Sequence, residues 1–204
     1  MTSVELIRPY PPESILDGNA EQIFIPAPDV EQWLRQAFIE EGYETHNEDH
    51  FHLNMAQIGV LWTNVEYTRK MRAVAGTAEL CKPPSTLNAW GKARWWQQVE
   101  GWFNQRPDFI ITLDALYSYE ADNPTFMALV EHELRHCALV RFTNQGMPIW
   151  GIRGHDYEFF LGDVERYGID AAGIRPVIEA ASKPPLISGA AIRSVCGNCN
   201  LQAA

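Results

Sequence analysis

Hydrophobic residues first recur at regular spacing after residue 28, where a proline-rich opening stretch ends. Five of them follow the i, i+3, i+4, i+7, i+8 pattern of one helix face: Val30, Trp33, Leu34, Ala37 and Phe38. Asp29, with Gln32 three positions later, resembles a capping box, and Gly42 ends the pattern. The spacing predicts an amphipathic helix between Asp29 and Gly42, preceded by a short extended piece at residues 22–26.

Three short apolar or alternating runs predict β-strands over residues 58–62, 71–80 and 108–114. In the second run, small and polar residues alternate with Val74, Ala78 and Leu80. This pattern is typical of a strand at the edge of a sheet, where an extended peptide can pair with the free backbone groups.

Further helices are predicted in the second half of the chain. Aromatic residues at helical spacing indicate a helix packed in the core rather than a ligand site: Trp90, Trp95, Trp96, Trp102 and Phe103, with Val99. Asn123, as N-cap before Pro124, predicts a helix that runs to about Phe142. A helix over residues 155–167 with Phe159 and Phe160 on its apolar face, and a short helical piece after residue 171, complete the series.

The length of 204 residues favours one domain. We expect an irregular arm at residues 1–28, a domain at 29–182 and a flexible tail at 183–204. With 46% hydrophobic and 21% charged residues the chain is not an intrinsically disordered protein, and a net charge of −10 argues against strong autonomous nucleic-acid binding. No apolar run of ~18 residues predicts a membrane span, and four scattered cysteines favour a reducing, cytoplasmic location.

Residues 132–136 read His-Glu-Leu-Arg-His, an H-E-x-x-H motif within the helix predicted to begin at Asn123. On a helix His132 and His136 lie one turn apart on the same face, so both imidazoles can bind one Zn²⁺. Zinc acidifies a bound water and polarises a substrate carbonyl, while Glu133 accepts the proton and later returns it to the leaving amine. The motif therefore predicts a hydrolytic zinc site.

A catalytic zinc needs a third protein ligand. A histidine six residues after the second is excluded, because Phe142 occupies that position. The candidates that remain are His155 and three acids that follow it, Glu158, Asp163 and Glu165. We favour His155, since a third neutral imidazole leaves the zinc its full positive charge and so acidifies the water most.

Other polar groups near these positions are weaker candidates. Tyr117, Tyr119, Tyr157 and Arg153 each carry a group able to stabilise the oxyanion of the transition state, and the sequence does not rank them. His46, His50 and His52 lie beside Glu48 and Asp49 and are interpreted as a surface turn or helix start, with adventitious metal binding as the alternative.

The motif, together with the later Gly154-His155-Asp-Tyr-Glu-Phe-Phe160 element and Tyr167-Gly168, resembles the SprT-like zinc metalloproteases, and most of all their relatives, the phage metallopeptidases. The similarity runs from about Ile58 to Gly168. It implies His132, His136 and His155 as zinc ligands and Glu133 as general base. It also implies a zincin-like α+β fold, with a small mixed or antiparallel sheet packed on two motif helices.

Two departures limit this resemblance. SprT-like enzymes commonly have glycine after the third histidine, where this chain has Asp156, and many carry a zinc ribbon with two cysteine pairs. Here only Cys196 and Cys199 are present, and one pair cannot close a four-ligand site. A mobile tail is therefore favoured over a half-site shared with a partner or a local disulfide, and the DNA-linked role of some SprT-like proteases is not expected.

The sequence thus predicts a zinc-dependent peptidase of protein or peptide substrates, encoded by a phage or prophage and acting in the host cytoplasm. Two alternatives stay open: a peptidoglycan endopeptidase, and a binding or regulatory protein that zinc stabilises without turnover. Glu133 argues against the second, since a structural zinc site has no use for a general base.

Overall fold

A four-stranded mixed sheet forms the centre of the computed structural model, which describes residues 6–17, 21, 23–69, 72–157, 164–165, 168–169 and 174–189. The strands, in chain order, are β1 (Phe24–Pro26), β2 (Ile58–Thr63), β3 (Thr68–Arg69), β4 (Arg72–Ala73), β5 (Gly76–Leu80), β6 (Phe109–Asp114), β7 (Cys137–Phe142) and β8 (Pro148–Ile152). The central sheet has the order β1-β2-β6-β5, in which β2 and β6 are parallel and the other pairs antiparallel. Strands β3–β4 and β7–β8 form two separate antiparallel pairs.

The helices lie between and around these strands. The α-helices are α1 (Glu13–Leu16), α2 (Pro28–Leu34), α3 (Ala89–Phe103), α4 (Ala115–Glu120), α5 (Asn123–His136) and α6 (Arg175–Ala181). A π-helical turn, Arg35–Ile39, continues α2, and a 3-10 helix spans Glu48–Met55. None of the described helices is long and apolar enough to cross a bilayer.

Side chains on both faces of the central sheet are buried, which explains the continuous apolar runs of β2 and β6. One face, with Val60 and Ile111, joins the main core with residues of α2 and α5. The opposite face, with Leu61 and Ile110, packs on Val99 of α3. The strands predicted at residues 58–62 and 108–114 are therefore confirmed.

Among the strands that the structure describes, β5 lies at the edge of the central sheet and pairs with β6. This confirms the edge position predicted for residues 71–80, but the strand is shorter than expected. Ala73 belongs to the β3–β4 hairpin, and the sheet register begins at Gly76, opposite Leu113.

The first amphipathic helix buries all five predicted apolar residues, but its ends differ from the prediction. Ala27 is the N-cap and Pro28 occupies the first turn, so the predicted capping box of Asp29 and Gln32 is wrong; the Asp29 carboxylate accepts from the neighbouring Val30 N–H at 2.9 Å. The helix ends with the π turn at Ile39, before Gly42.

The aromatic helix α3 packs largely as predicted. Trp95, Trp96, Trp102 and Phe103 contact the second apolar cluster. Trp90 is the exception: it is 85% exposed, because it lies in the first turn of α3, away from the sheet.

Helix α5 begins one residue earlier than predicted and ends six residues early. Asp122, not Asn123, is the N-cap, and its carboxylate accepts from the Thr125 N–H at 2.9 Å. The predicted continuation to Phe142 is wrong: Cys137 adopts an extended backbone, and residues 137–142 pair with β8 as a hairpin. A short apolar run does not distinguish helix from strand, and here the turn around Gly146 allows the strand to pair.

Two other predictions concern the ends of the chain. The extended piece predicted at 22–26 is present as β1 over Phe24–Pro26. The arm expected at residues 1–28 is not irregular throughout: it contains α1 and a buried Arg8, whose Nη2 donates to the Ser118 carbonyl at 3.0 Å. Residues 155–157 are not helical, so the predicted helix does not start at His155. Most of the rest of that predicted helix, including Phe159 and Phe160, lies outside the described residues. Cys196 and Cys199 also lie outside them.

The turn predicted around His46, His50 and His52 is the 3-10 helix, but it is not all surface. His50 is 1% exposed, because it is packed beneath the helix against α5. The whole is a zincin-like α+β architecture, in which a small mixed sheet packs on the helix that carries the H-E-x-x-H motif.

Candidate metal centre

Helix α5 presents its two motif histidines at its C-terminal end. The apolar face of the helix, Phe126, Leu129, Val130 and Leu134, is buried in the main core and fixes the rotation of the helix. His132 and His136 consequently lie on one side, with ring centroids 5.0 Å apart.

His155 completes a group of three. Nε2 of His155 lies 3.3 Å from Nε2 of His132. Nε2 of His136 lies at the same distance, 3.3 Å, from Nε2 of His132. The three ligand atoms lie within 4.8 Å of one another. Among the described residues, no other set of three or more His, Cys, Asp or Glu side chains is close enough to hold a metal ion.

These distances fit a tetrahedral ion. Ligand nitrogens ~2.0–2.1 Å from zinc are separated by ~3.3–3.4 Å along a tetrahedral edge. Both Nε2 separations from His132 match that edge. Three imidazoles are also the donor set of an open catalytic site, since they leave one coordination position for water or substrate.

The backbone of Arg153 fixes the tautomer of His136. Nδ1 of His136 donates to the Arg153 carbonyl at 2.6 Å, because only a protonated ring nitrogen can bond a carbonyl oxygen. The lone pair of the neutral ring is then on Nε2, the atom that faces His132. A backbone partner of this kind is the usual support of a metal-binding histidine.

Glu133 is fully buried between α5 and the edge strand. A Cβ added at Gly76 would lie 3.0 Å from Oε1 of Glu133, so a side chain at this position would press on the carboxylate. The start of β5 therefore lies directly against the candidate general base. Burial, together with the charge of Glu133, raises the pKa of the neighbouring Cys137 thiol, which stays neutral.

Glu131, just before the motif, is held by polar neighbours. Burial alone would raise the pKa of its carboxyl, but contacts with His50 and Asn47 and the charge of Arg135 outweigh burial, and the pKa is lowered. Glu131 is therefore a carboxylate at neutral pH.

The other residues singled out from the sequence occupy varied positions. Of the acidic alternatives for the third ligand, Glu165 is exposed, whereas Glu158 and Asp163 lie outside the described residues. The Arg153 guanidinium pairs with Asp156 at 2.6 Å and is largely exposed. Tyr117 packs against the main core, and Tyr157 is 37% exposed.

Sequence reasoning missed two contributions to the site. Gly76 and the Arg153 backbone act through contacts between residues far apart in the chain, which hydrophobic periodicity does not report. The glycine inside the predicted edge strand was the available signal, because a glycine there often marks a close approach of other groups.

Comparison with known proteins gives one match. A family model described as "Putative phage metallopeptidase" matches residues 31–182, about three quarters of the chain. Searches of curated proteins and of solved structures found no match. The matched residues include the motif helix, the edge strand and all three clustered histidines, and the chain belongs to the phage metallopeptidase family.

Proposed function

We propose that this chain is a zinc-dependent peptidase in which His132, His136 and His155 bind the metal and Glu133 is the general base. The observation that carries the proposal is the convergence of the three imidazoles, with two Nε2 separations of 3.3 Å that match a tetrahedral zinc site. The pairing of the H-E-x-x-H motif with the Gly154-His155 element supports a place near the SprT-like enzymes.

When bound, zinc supplies an acidified water and a Lewis acid for the scissile carbonyl. Residues of the chain carry out the proton transfers and orient the metal ligands. Glu133 takes one proton from the water that attacks the carbonyl carbon, and it delivers that proton to the amide nitrogen as the carbon–nitrogen bond breaks. The bond from Nδ1 of His136 to the Arg153 carbonyl orients the ring and leaves Nε2 as the atom that can bind the metal.

Strand β5 supplies a binding site for the substrate backbone. It is the outermost described strand on its side of the sheet and begins at Gly76, against Glu133, so an extended peptide that pairs with it near Gly76 would pass beside the general base. Binding through main-chain hydrogen bonds would give little side-chain selectivity. A cavity of about 640 Å³ adjoins the residues just before β5, with Val74 and Ala75 in its lining, and leaves room for substrate side chains.

The proposed substrates are proteins or peptides in the cytoplasm of a phage-infected host. Two other functions remain to be separated by experiment: cleavage of peptidoglycan cross-links, and zinc binding without turnover. We propose domain limits of 29–182 for the catalytic unit, preceded by an arm that packs on it through β1 and Arg8 and followed by a tail.

One set of assays tests this proposal. The purified full-length chain is analysed for metal and then incubated with casein or with purified cell walls, with and without a chelator. We expect about one zinc per chain and casein cleavage that stops on chelation and returns with zinc. Cleavage of cell walls alone would favour the endopeptidase, and bound zinc without any hydrolysis would favour the binding protein.

A further inference from the structure

The segment around the 3-10 helix makes two contacts, one to α5 just before the H-E-x-x-H motif and one to the first residue of β7 just after it. Nδ2 of Asn47 donates to Oε1 of Glu131 at 2.8 Å. Nε2 of His52 donates to the carbonyl of Cys137 at 2.8 Å. Glu131 directly precedes His132 and Cys137 directly follows His136, so the two contacts bracket the metal-binding turn.

The first contact is reinforced by a buried histidine. Nε2 of His50 lies 3.6 Å from Oε1 of Glu131, and His50 is 1% exposed. Arg135 donates to the same carboxylate oxygen at 2.8 Å. Arg135 belongs to α5 itself, whereas Asn47 and His50 lie outside it, so rotation of α5 about its axis would break the contacts of Glu131 with Asn47 and His50.

The second contact lies where the chain changes from helix to strand. Cys137 begins β7 and is paired with Ile152 of β8, and Arg153, which follows β8, is bonded to His136. His155 comes two residues later. A shift of the Cys137 backbone would thus displace both the second and the third histidine.

The segment is itself anchored to the core, independently of α5. The N–H of Asn47 donates to the Phe38 carbonyl at 3.0 Å, and Nη2 of Arg35 donates to the Ala56 carbonyl at 2.7 Å. Leu53, between these anchors, is fully buried. The segment can therefore serve as a fixed reference against which α5 is held.

We propose that Asn47, His50 and His52, named here the helix clamp, are positioning residues of the metal centre. They do not bind the metal; they hold the two ends of the motif so that His136 and His155 both keep their 3.3 Å separations from Nε2 of His132. This inference rests on the proposed function, because it takes His132, His136 and His155 as the ligands. Loss of partners that orient metal ligands typically lowers metal affinity ~10–100-fold.

The experiment measures metal binding by the full-length chain, not only activity. Zinc affinity is obtained by competition with a chromophoric chelator, and Co²⁺ absorption reports the geometry of the site. His52→Ala removes the donor, whereas His52→Gln places an amide nitrogen near the former Nε2. Asn47→Ser keeps an N-cap oxygen for the Asp49 N–H but removes the amide that reaches Glu131.

Asn54→Ala is the matched control. Asn54 lies in the same 3-10 helix, is exposed, and donates within that helix to the Phe51 carbonyl at 3.1 Å. Its substitution should leave zinc affinity and the Co²⁺ spectrum unchanged.

We expect His52→Ala and Asn47→Ser to weaken zinc binding roughly tenfold and to change the Co²⁺ spectrum, and His52→Gln to restore both. If His52→Ala and Asn47→Ser both keep the zinc affinity and the Co²⁺ spectrum of the unaltered chain, the clamp is overturned. An equal loss of zinc affinity in Asn54→Ala would overturn it as well. If His52→Ala does not fold, the zinc affinity and the Co²⁺ spectrum of Asn47→Ser test the clamp. A parent chain that binds no zinc at all would instead overturn the proposed function.

Discussion

Arg153 and His136 are joined by hydrogen bonds in both directions. The Arg153 N–H donates to the His136 carbonyl at 2.8 Å, and Nδ1 of His136 donates to the Arg153 carbonyl at 2.6 Å. The end of strand β8 is thereby fastened to the last residue of α5. Because His155 follows two residues after Arg153, the same pair of bonds that orients the second histidine delivers the third.

Replacing Glu133 with glutamine should separate metal binding from hydrolysis. The amide keeps the shape of the side chain but cannot accept a proton, so we expect about one zinc per chain and a loss of turnover of at least ~10²–10⁴-fold. Metal analysis and a peptide-cleavage assay check this. Undiminished turnover would exclude Glu133 as the base.

Replacing His155 with alanine should lower zinc affinity by orders of magnitude and remove activity, because one of three ligands is lost. Glu158→Gln serves as the comparison, since Glu158 is the nearest acidic alternative in the sequence. Zinc retained in the first variant and lost in the second would identify a glutamate ligand instead. Chelator competition measures both.

Replacing Gly76 with alanine should impair catalysis while leaving zinc bound. The new Cβ would lie 3.0 Å from Oε1 of Glu133, so the carboxylate or the edge strand must shift. A displacement of ~1 Å in a catalytic group can lower the rate ~10²-fold. The measured quantities are kcat and zinc content.

Gly101→Ala provides the control for that substitution. A Cβ at Gly101 meets no atom within 4 Å, and the residue lies inside α3. We expect full activity and a stability gain of up to ~1 kcal/mol, because alanine favours the helix. A matching loss of activity in both variants would show that the Gly76 effect is not specific to the site.

The thiol of Cys81 should be unreactive in the folded protein. Burial, with smaller contributions from the Glu79 and Asp108 carboxylates, raises its pKa to about 12, so the thiolate is scarce at pH 8. In a chain with Cys196 and Cys199 changed to serine, iodoacetamide should label Cys81 slowly until denaturant is added. Rapid labelling of Cys81 in the native protein, located by mass spectrometry, would contradict this.

Local patterns predicted much of the fold and most of the candidate site. The i, i+4 spacing of His132 and His136 brings the two side chains together on any helix, and Pro124 in the first turn indicated a helix here. The apolar runs of β2 and β6 and the edge character of β5 also follow from residue type alone. Each of these features depends on neighbours within a few positions.

The missed features depend on contacts between distant residues. Residues 137–142 contain enough apolar side chains to continue a helix, and only pairing with β8 makes them a strand. His50 has the polarity of a surface residue, yet it is buried beside the half-buried carboxylate of Glu131 on α5. Sequence periodicity does not carry this information.

The hairpin between α5 and His155 also sets an order of events during folding. His132 and His136 come together as soon as the last turn of α5 forms, a local step that takes on the order of a microsecond. His155 arrives only after β7 and β8 have paired, and closing a hairpin takes longer, ~1–10 μs. A metal ion bound before the hairpin forms would have only two protein ligands. Tight binding by three histidines therefore requires that α5 and the β7–β8 hairpin have both folded.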